Sequence, residues 1–160
     1  MTVTCHLTVI RELLKHSKLD VNTRDSNGDM ALIRGSKNNL FDFVCELLKH
    51  KLVDVNAIGD DGITALMVAI VEENVEVVLE LLKHERVDAN TQDSIGRTPL
   101  FSEVCRDHAQ VLSKLLVHES VDVNVKDDDG CTALMLARSM NGRATFVAQL
   151  PKHEKPDLNV

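Results

Sequence analysis

Residues Asp93–Leu100 read DSIGRTPL. Asp93 and Gly96 occupy the first and last positions that a type I turn favours. Thr98 then offers a side-chain oxygen as a helix cap. Pro99 suits the first helical position, where its missing N–H would be unused anyway. These eight residues therefore specify a turn and the start of a short helix. The same words return along the chain: Gly28, Gly62, Gly96 and Gly130 are each 34 residues apart, as are Leu32, Leu66, Leu100 and Leu134. Asp20, Asp54, Asp88 and Asp122 keep the same step, and so do Asn22, Asn56, Asn90 and Asn124. At the end of the chain the step slips by one, with Asp157 and Asn159 lying 35 beyond their counterparts. A fixed period of this length is the signature of a stacked repeat architecture.

The rest of the unit is also readable. In VEVVLELLKH, Val75, Val78, Leu81 and Leu82 fall on one face of a second, amphipathic helix. The VDAN or VDVN that follows suits an extended arm leading into the next turn. A unit of turn, short helix, longer helix and return arm cannot bury both apolar faces alone, so neighbours must stack to make a continuous core.

The phrases DDGITALMVAI, DSIGRTPLFSEV and DDDGCTALMLA, followed by the V-V-x-x-L-L and D-V-N runs, resemble the ankyrin repeat. The resemblance covers essentially the whole chain and implies an all-α repeat protein. Its fold would be an ankyrin-type solenoid of helix-turn-helix units joined by β-turn, hairpin-like loops. We expect a single domain over residues 1–160, with repeats at 25–58, 59–92, 93–126 and 127–160. Residues 1–24 match the second helix and return arm of a partial repeat: Leu7, Ile10, Leu13 and Leu14 correspond to Phe41, Val44, Leu47 and Leu48. The half repeat at the start leaves an apolar edge and points to more protein before or after this stretch. The tetratricopeptide repeat shares the period but has no D-x-x-G turn and normally uses Trp or Tyr, both absent here.

The departures from the family pattern are specific. The glycine usually found after the second helix is missing and one residue is added, as in KHERVD, so that helix must end without the left-handed cap. The histidine of the TPLH signature is replaced by Ile33, Met67, Phe101 and Met135. The first full unit lacks the Thr cap and carries Gly35 inside a short helix. The third has Glu103 where the family prefers a small buried residue. The fourth has an insertion near Asn141 and Gly142, and Pro151 should end its last helix early.

Composition narrows the function. A formal charge of −7 and four Phe with no Trp or Tyr disfavour a nucleic-acid binder, which needs cationic surface and stacking rings. The start MTVTCHLTVIRELLKH is not a signal peptide, and LMVAIV at Leu66–Val71 is too short to span a bilayer. Four cysteines without a CxxC pair indicate no zinc framework. We therefore expect an intracellular protein, cytoplasmic or nuclear, with no membrane insertion and no cofactor.

Three constellations invite chemistry. The first is the recurrent His/Asp pair, as in His84 and Asp88 of LLKHERVDAN. Equivalent histidines in stacked units stand about one helix packing distance, ~8–10 Å, apart, too far to share one ion. Histidine near a helix C-terminus is instead expected to meet free carbonyls and the negative end of the dipole. The second is Asp127–Asp129 before Gly130, which fails the calcium-loop pattern because Leu136 stands where a glutamate is needed. The third is Cys105 with His108, placed on either side of a helix link. Cys45 reads as a core residue and Cys105 as a surface thiol.

What remains is a surface. In proteins that this chain resembles, partners are bound by the turn tips and the exposed side of the first helix. That carry-over selects Arg24, Ile58, Asp60, Asp61, Ile63, Gln92, Ser94, Ile95, Arg97, Lys126, Asp128 and Asp129 at the tips. On the first helices it selects Lys37, Asn38, Val71, Glu72, Cys105, Arg106, Ser139 and Met140, and it adds Ser26, Asn27, Asp29 and Cys131 at the tips. These residues vary in charge and size while the glycines between them recur. The expected function is non-catalytic binding of another protein. The alternatives are a regulatory or targeting segment of a larger multidomain enzyme or signalling protein, and a metal or redox protein using His and Cys.

Overall fold

The computed structural model describes residues 2–106 and 108–140. The helices are α1 (Thr2–Leu14), α2 (Ala31–Lys37), α3 (Phe41–Leu48), α4 (Ala65–Val71), α5 (Val75–Leu81), α6 (Pro99–Arg106), α7 (Ala109–Val117) and α8 (Ala133–Ser139). They form two layers. The short first helices pack in the series α2, α4, α6, α8, and the second helices in the series α1, α3, α5, α7. Helix α1 lies on α3 as α3 lies on α5. The core runs continuously between the layers through Val44, Leu66, Ile70, Leu81, Phe101, Leu112 and Leu115, each 2% exposed or less. The insertion near Asn141 and the expected early stop at Pro151 lie outside the described residues.

The tips follow from local hydrogen bonding. Asp93 Oδ1 accepts the N–H groups of Ile95 and Arg97 at 3.0 and 2.8 Å, while Gly96 N–H bonds the Asp93 carbonyl at 3.0 Å. Asp25 and Asp127 organise their turns in the same way. Gly59 stands at this position in the second tip and has no carboxylate to offer. That tip closes instead as a 3-10 turn, Asp60–Gly62, with Asp61 left-handed at φ 56°. Isolated antiparallel bridges Arg24–Met30, Ile58–Thr64 and Lys126–Thr132 close the bases of three tips. Tips also bond each other: Ser94 N–H donates to the Asp61 carbonyl at 2.8 Å and Asp128 N–H to the Ile95 carbonyl at 3.2 Å.

Helix starts agree with the cap reading at two sites and differ at a third. Thr64 and Thr132 accept the N–H groups of Met67 and Met135, both at 3.3 Å. Met30 has no hydroxyl and α2 begins without a side-chain cap. Helix α6 begins at Pro99, as expected, but the Phe101 N–H that the Thr98 side chain would cap is taken by the Thr98 carbonyl at 3.0 Å. A tight first turn thus substitutes for the side-chain cap.

Gly35 has a packing reason. A Cβ there would sit 2.9 Å from the Phe43 ring, so the ring occupies the volume that Ala69 and Ala137 fill one and three periods later. Glu103, at the same position of α6, is fully buried. Its Oε1 accepts the N–H of His108, the residue that precedes α7, at 2.6 Å. The carboxylate thereby ties the end of α6 to the start of α7.

The loops after the second helices use histidine in a way the sequence reading did not anticipate. His16, His50 and His84 accept, through Nδ1, the N–H two residues ahead at 3.2–3.3 Å. The ring is an acceptor for the loop, not a donor to the helix carbonyls. At His118 the same nitrogen meets the Ser120 hydroxyl at 2.9 Å. Each loop then descends through two tight turns; at His84, its N–H bonds Leu81 and its carbonyl accepts from Val87, both at 3.0 Å. No left-handed residue is required, which accounts for the missing glycine and the added residue.

The Asp and Asn of the return arm are joinery. Asp20, Asp54, Asp88 and Asp122 each accept the N–H of the Asn two residues on. The Asn amide then reaches the next arm. Asn56 Nδ2 donates to the Arg86 carbonyl and its Oδ1 accepts from Asp88 N–H, both at 2.8 Å. Asn22 does the same to Leu52 and Asp54, and Asn90 to Ser120 and Asp122.

One ion-pair cluster holds α1. Arg11 and Lys49 both donate to Glu46 Oε1, at 2.8 and 2.9 Å, and the Glu46 side chain is only 11% exposed. The Arg11 hydrogen bond, and after it that of Lys49, hold the Glu46 carboxyl down from its ordinary 4.5 to about 2. A carboxylate lowered on folding stabilises the fold above its ordinary pKa, and loses that contribution as pH falls through the lowered value. The wild-type melting midpoint should therefore exceed that of Glu46→Gln at neutral pH. The gap should close between pH 4.5 and about 2. A gap independent of pH across that window would show that the ion pairs do not stabilise the docking of α1.

Candidate interaction surface

The tip residues divide into those consumed by the fold and those left facing solvent. Arg24 is exposed, but its guanidinium bridges the Gly28 carbonyl at 2.7 Å and the Ile58 carbonyl at 2.6 Å. Gln92, 68 residues later, repeats the bridge to the carbonyls of Gly96 and Lys126 at 2.5 and 3.0 Å. Both therefore act first as splints between adjacent tips. Arg97 is half-buried, with Nε 3.8 Å from Asp127. By contrast, Ile58, Val71 and Ile95 are 44%, 38% and 48% exposed, although they are apolar. Asp60, Asp61, Glu72, Ser94, Lys126, Asp128 and Asp129 are also exposed, and Ile63 is half-buried.

Between the first two tips and helices α2 and α4 lies a cavity of about 320 Å³. Ile33, Ile63 and Val68 supply its apolar lining, and Asp29, Asp60 and Asp61 its carboxylates, with Asn27 and Lys37 completing the wall. The structure thus brings Asp60, Asp61 and Ile63 together. Ile33 and Val68 were not recognisable as wall residues, because their apolar character reads equally as core and both are largely buried.

The first-helix candidates Cys105 and Arg106 lie at the opposite end of α6 from its tip. Arg106 reaches Glu73 at 3.5 Å, and His108 stands 3.8 Å from Glu73 and 3.7 Å from Glu103. Cys105 and His108 do fall on either side of the helix link. Cys45 is half-buried, less enclosed than the core position expected, and burial pushes its thiol up, away from the thiolate that nucleophilic chemistry needs. Among the described residues no three His, Cys, Asp or Glu side chains are grouped as a metal site. No helix among them is long and apolar enough to cross a membrane.

Two layers of stacked helix pairs, joined through bonded tips and Asn-linked return arms, define a helical repeat scaffold. The chain belongs to the ankyrin-repeat family: the family's model, described as ankyrin repeats in three copies, matches residues 2–93 and again 79–160. No curated protein matched the chain. Ankyrin repeats are generally protein–protein interaction modules.

Proposed function

We propose that residues 1–160 act as one non-catalytic domain, with the partial repeat and four units placed as the period sets them. The domain binds another protein through its tips and the exposed sides of its first helices. The observation that carries this reading is the exposure of Ile58 and Ile95 on tips whose backbone is already tied by hydrogen bonds within and between the turns. Large apolar side chains held outward on a rigid frame lose little freedom when a partner covers them. Free thiols at Cys45, Cys105 and Cys131 fit a reducing, intracellular setting.

The test is affinity capture with identification by mass spectrometry, followed by calorimetric titration of the captured partner. The triple variant Ile58→Ser, Ile95→Ser, Arg97→Ala should weaken binding at least about tenfold, equivalent to ~1.4 kcal/mol, with an unchanged circular dichroism spectrum. An unchanged Kd would place the binding face elsewhere.

A further inference from the structure

We infer that the groove between the first two tips receives a lysine or arginine side chain, so that the partner presents a basic segment to this end of the molecule. The inference rests on the reading that tips and first helices form the binding face, and adds the chemistry of what they bind. The groove has two parts with different demands. Its interior is aliphatic, from Ile33, Ile63 and Val68, and its carboxylates come from Asp29, Asp60 and Asp61. Long cationic side chains match this division, because their methylene stems cover apolar surface while the charged head stays at the wet edge.

The charge balance is local and unspent. No ion pair or side-chain hydrogen bond among the described residues engages the carboxylates of Asp29, Asp60 or Asp61. The neighbouring cations are committed elsewhere: Arg24 to the carbonyls of Gly28 and Ile58, and Arg34 to Asp25 at 2.5 Å. Lys37 is the one cation in the wall. One period on, Asp60 and Asp61 are replaced by Ser94 and Ile95, so the repeat architecture does not require acids there. A cleft of one sign with low-dielectric walls concentrates opposite charge and speeds its arrival.

The experiment is selection of a random peptide display library on the full chain, followed by titration of the enriched peptides. Three variant sets are compared. The groove set is Asp29→Asn, Asp60→Asn and Asp61→Asn. The charge-matched control set, Glu76→Gln, Glu85→Gln and Glu119→Gln, lies outside the groove. The third is the Ile58, Ile95, Arg97 triple variant described above. The expected peptides carry Lys or Arg beside aliphatic residues. They should lose about tenfold or more in affinity on the groove set and less than about twofold on the control set, and replacing the key Lys by norleucine should cost a similar factor on the unsubstituted chain but little more on the groove set. Equal losses on the groove and control sets would reduce the effect to net charge and overturn the inference. Peptides that need Ile58, Ile95 and Arg97 but ignore the groove set would overturn the inference and leave the binding face standing. Peptides indifferent to both sets would overturn both.

Discussion

Gly62→Ala should lower the unfolding free energy by about 3 kcal/mol, whereas Gly130→Ala should lower it by only about 1 kcal/mol. Both glycines are left-handed, at φ 77° and 76°, so both substitutions carry the same backbone strain. They differ in what the new methyl group meets. At Gly62 an added Cβ would stand 2.7 Å from Ser94 N and 2.8 Å from Asp93 Cα and C, all main-chain atoms of the next tip. Those atoms cannot rotate aside as a side chain can. The tips must separate, which stretches the 2.8 Å bond from Ser94 N–H to the Asp61 carbonyl. At Gly130 the added Cβ meets no described atom within 4 Å. Urea denaturation of the two variants therefore isolates the close approach of one tip to the next. Equal losses would mean that tip stacking contributes nothing beyond the turn conformation itself.

How far the fold could be read from sequence depended on how far apart the interacting groups lie. Turn, cap and helix period are decided within a few residues, and the readings at Asp93, Gly96 and Pro99 rest on such short spans. Thr98 differed because two acceptors on one residue compete for the same N–H, and the carbonyl wins where the first turn is tight. The histidines differed for a related reason. Loss of the glycine cap was visible, but the replacement, Nδ1 accepting an N–H two residues ahead, depends on the path of the loop. Gly35 became intelligible only with the Phe43 ring beside it.

The candidate surface was legible as a set of positions and less so as an environment. The family resemblance, carried onto fixed points of the period, selected Asp60, Asp61, Ile63 and Ile95. It could not distinguish Arg24 and Gln92, whose side chains span to the next tip 34 residues on, from residues left free for a partner. Nor could it assign Ile33 and Val68 to a groove wall. Side chains of the same type serve as core or as lining according to how closely the neighbouring unit approaches, and no local pattern encodes that distance.

Asn56→Ala should cost about 2 kcal/mol, from two lost hydrogen bonds worth roughly 0.5–1.5 kcal/mol each, and its reach should exceed that of Asn22→Ala. In both cases one amide donates to a carbonyl 30 residues ahead and accepts from an N–H 32 residues ahead. The local losses are therefore alike. Their positions in the stack are not. Asn22 joins the arm after α1 to the arm after α3, at the end of the described helices, whereas Asn56 joins the arms after α3 and α5, between inner elements. When stability is a sum of unit and nearest-neighbour terms, weakening an end interface frees the end alone, and weakening an inner one divides the stack. Hydrogen exchange can separate these outcomes. Asn22→Ala should raise exchange in α1 while α5 and α7 keep their protection. Asn56→Ala should raise exchange across α1 and α3 together. If Asn22→Ala exposed α5 and α7 as strongly as α1, the stack would be unfolding as one cooperative body, and the Asn ladder would set its overall stability without dividing it into units.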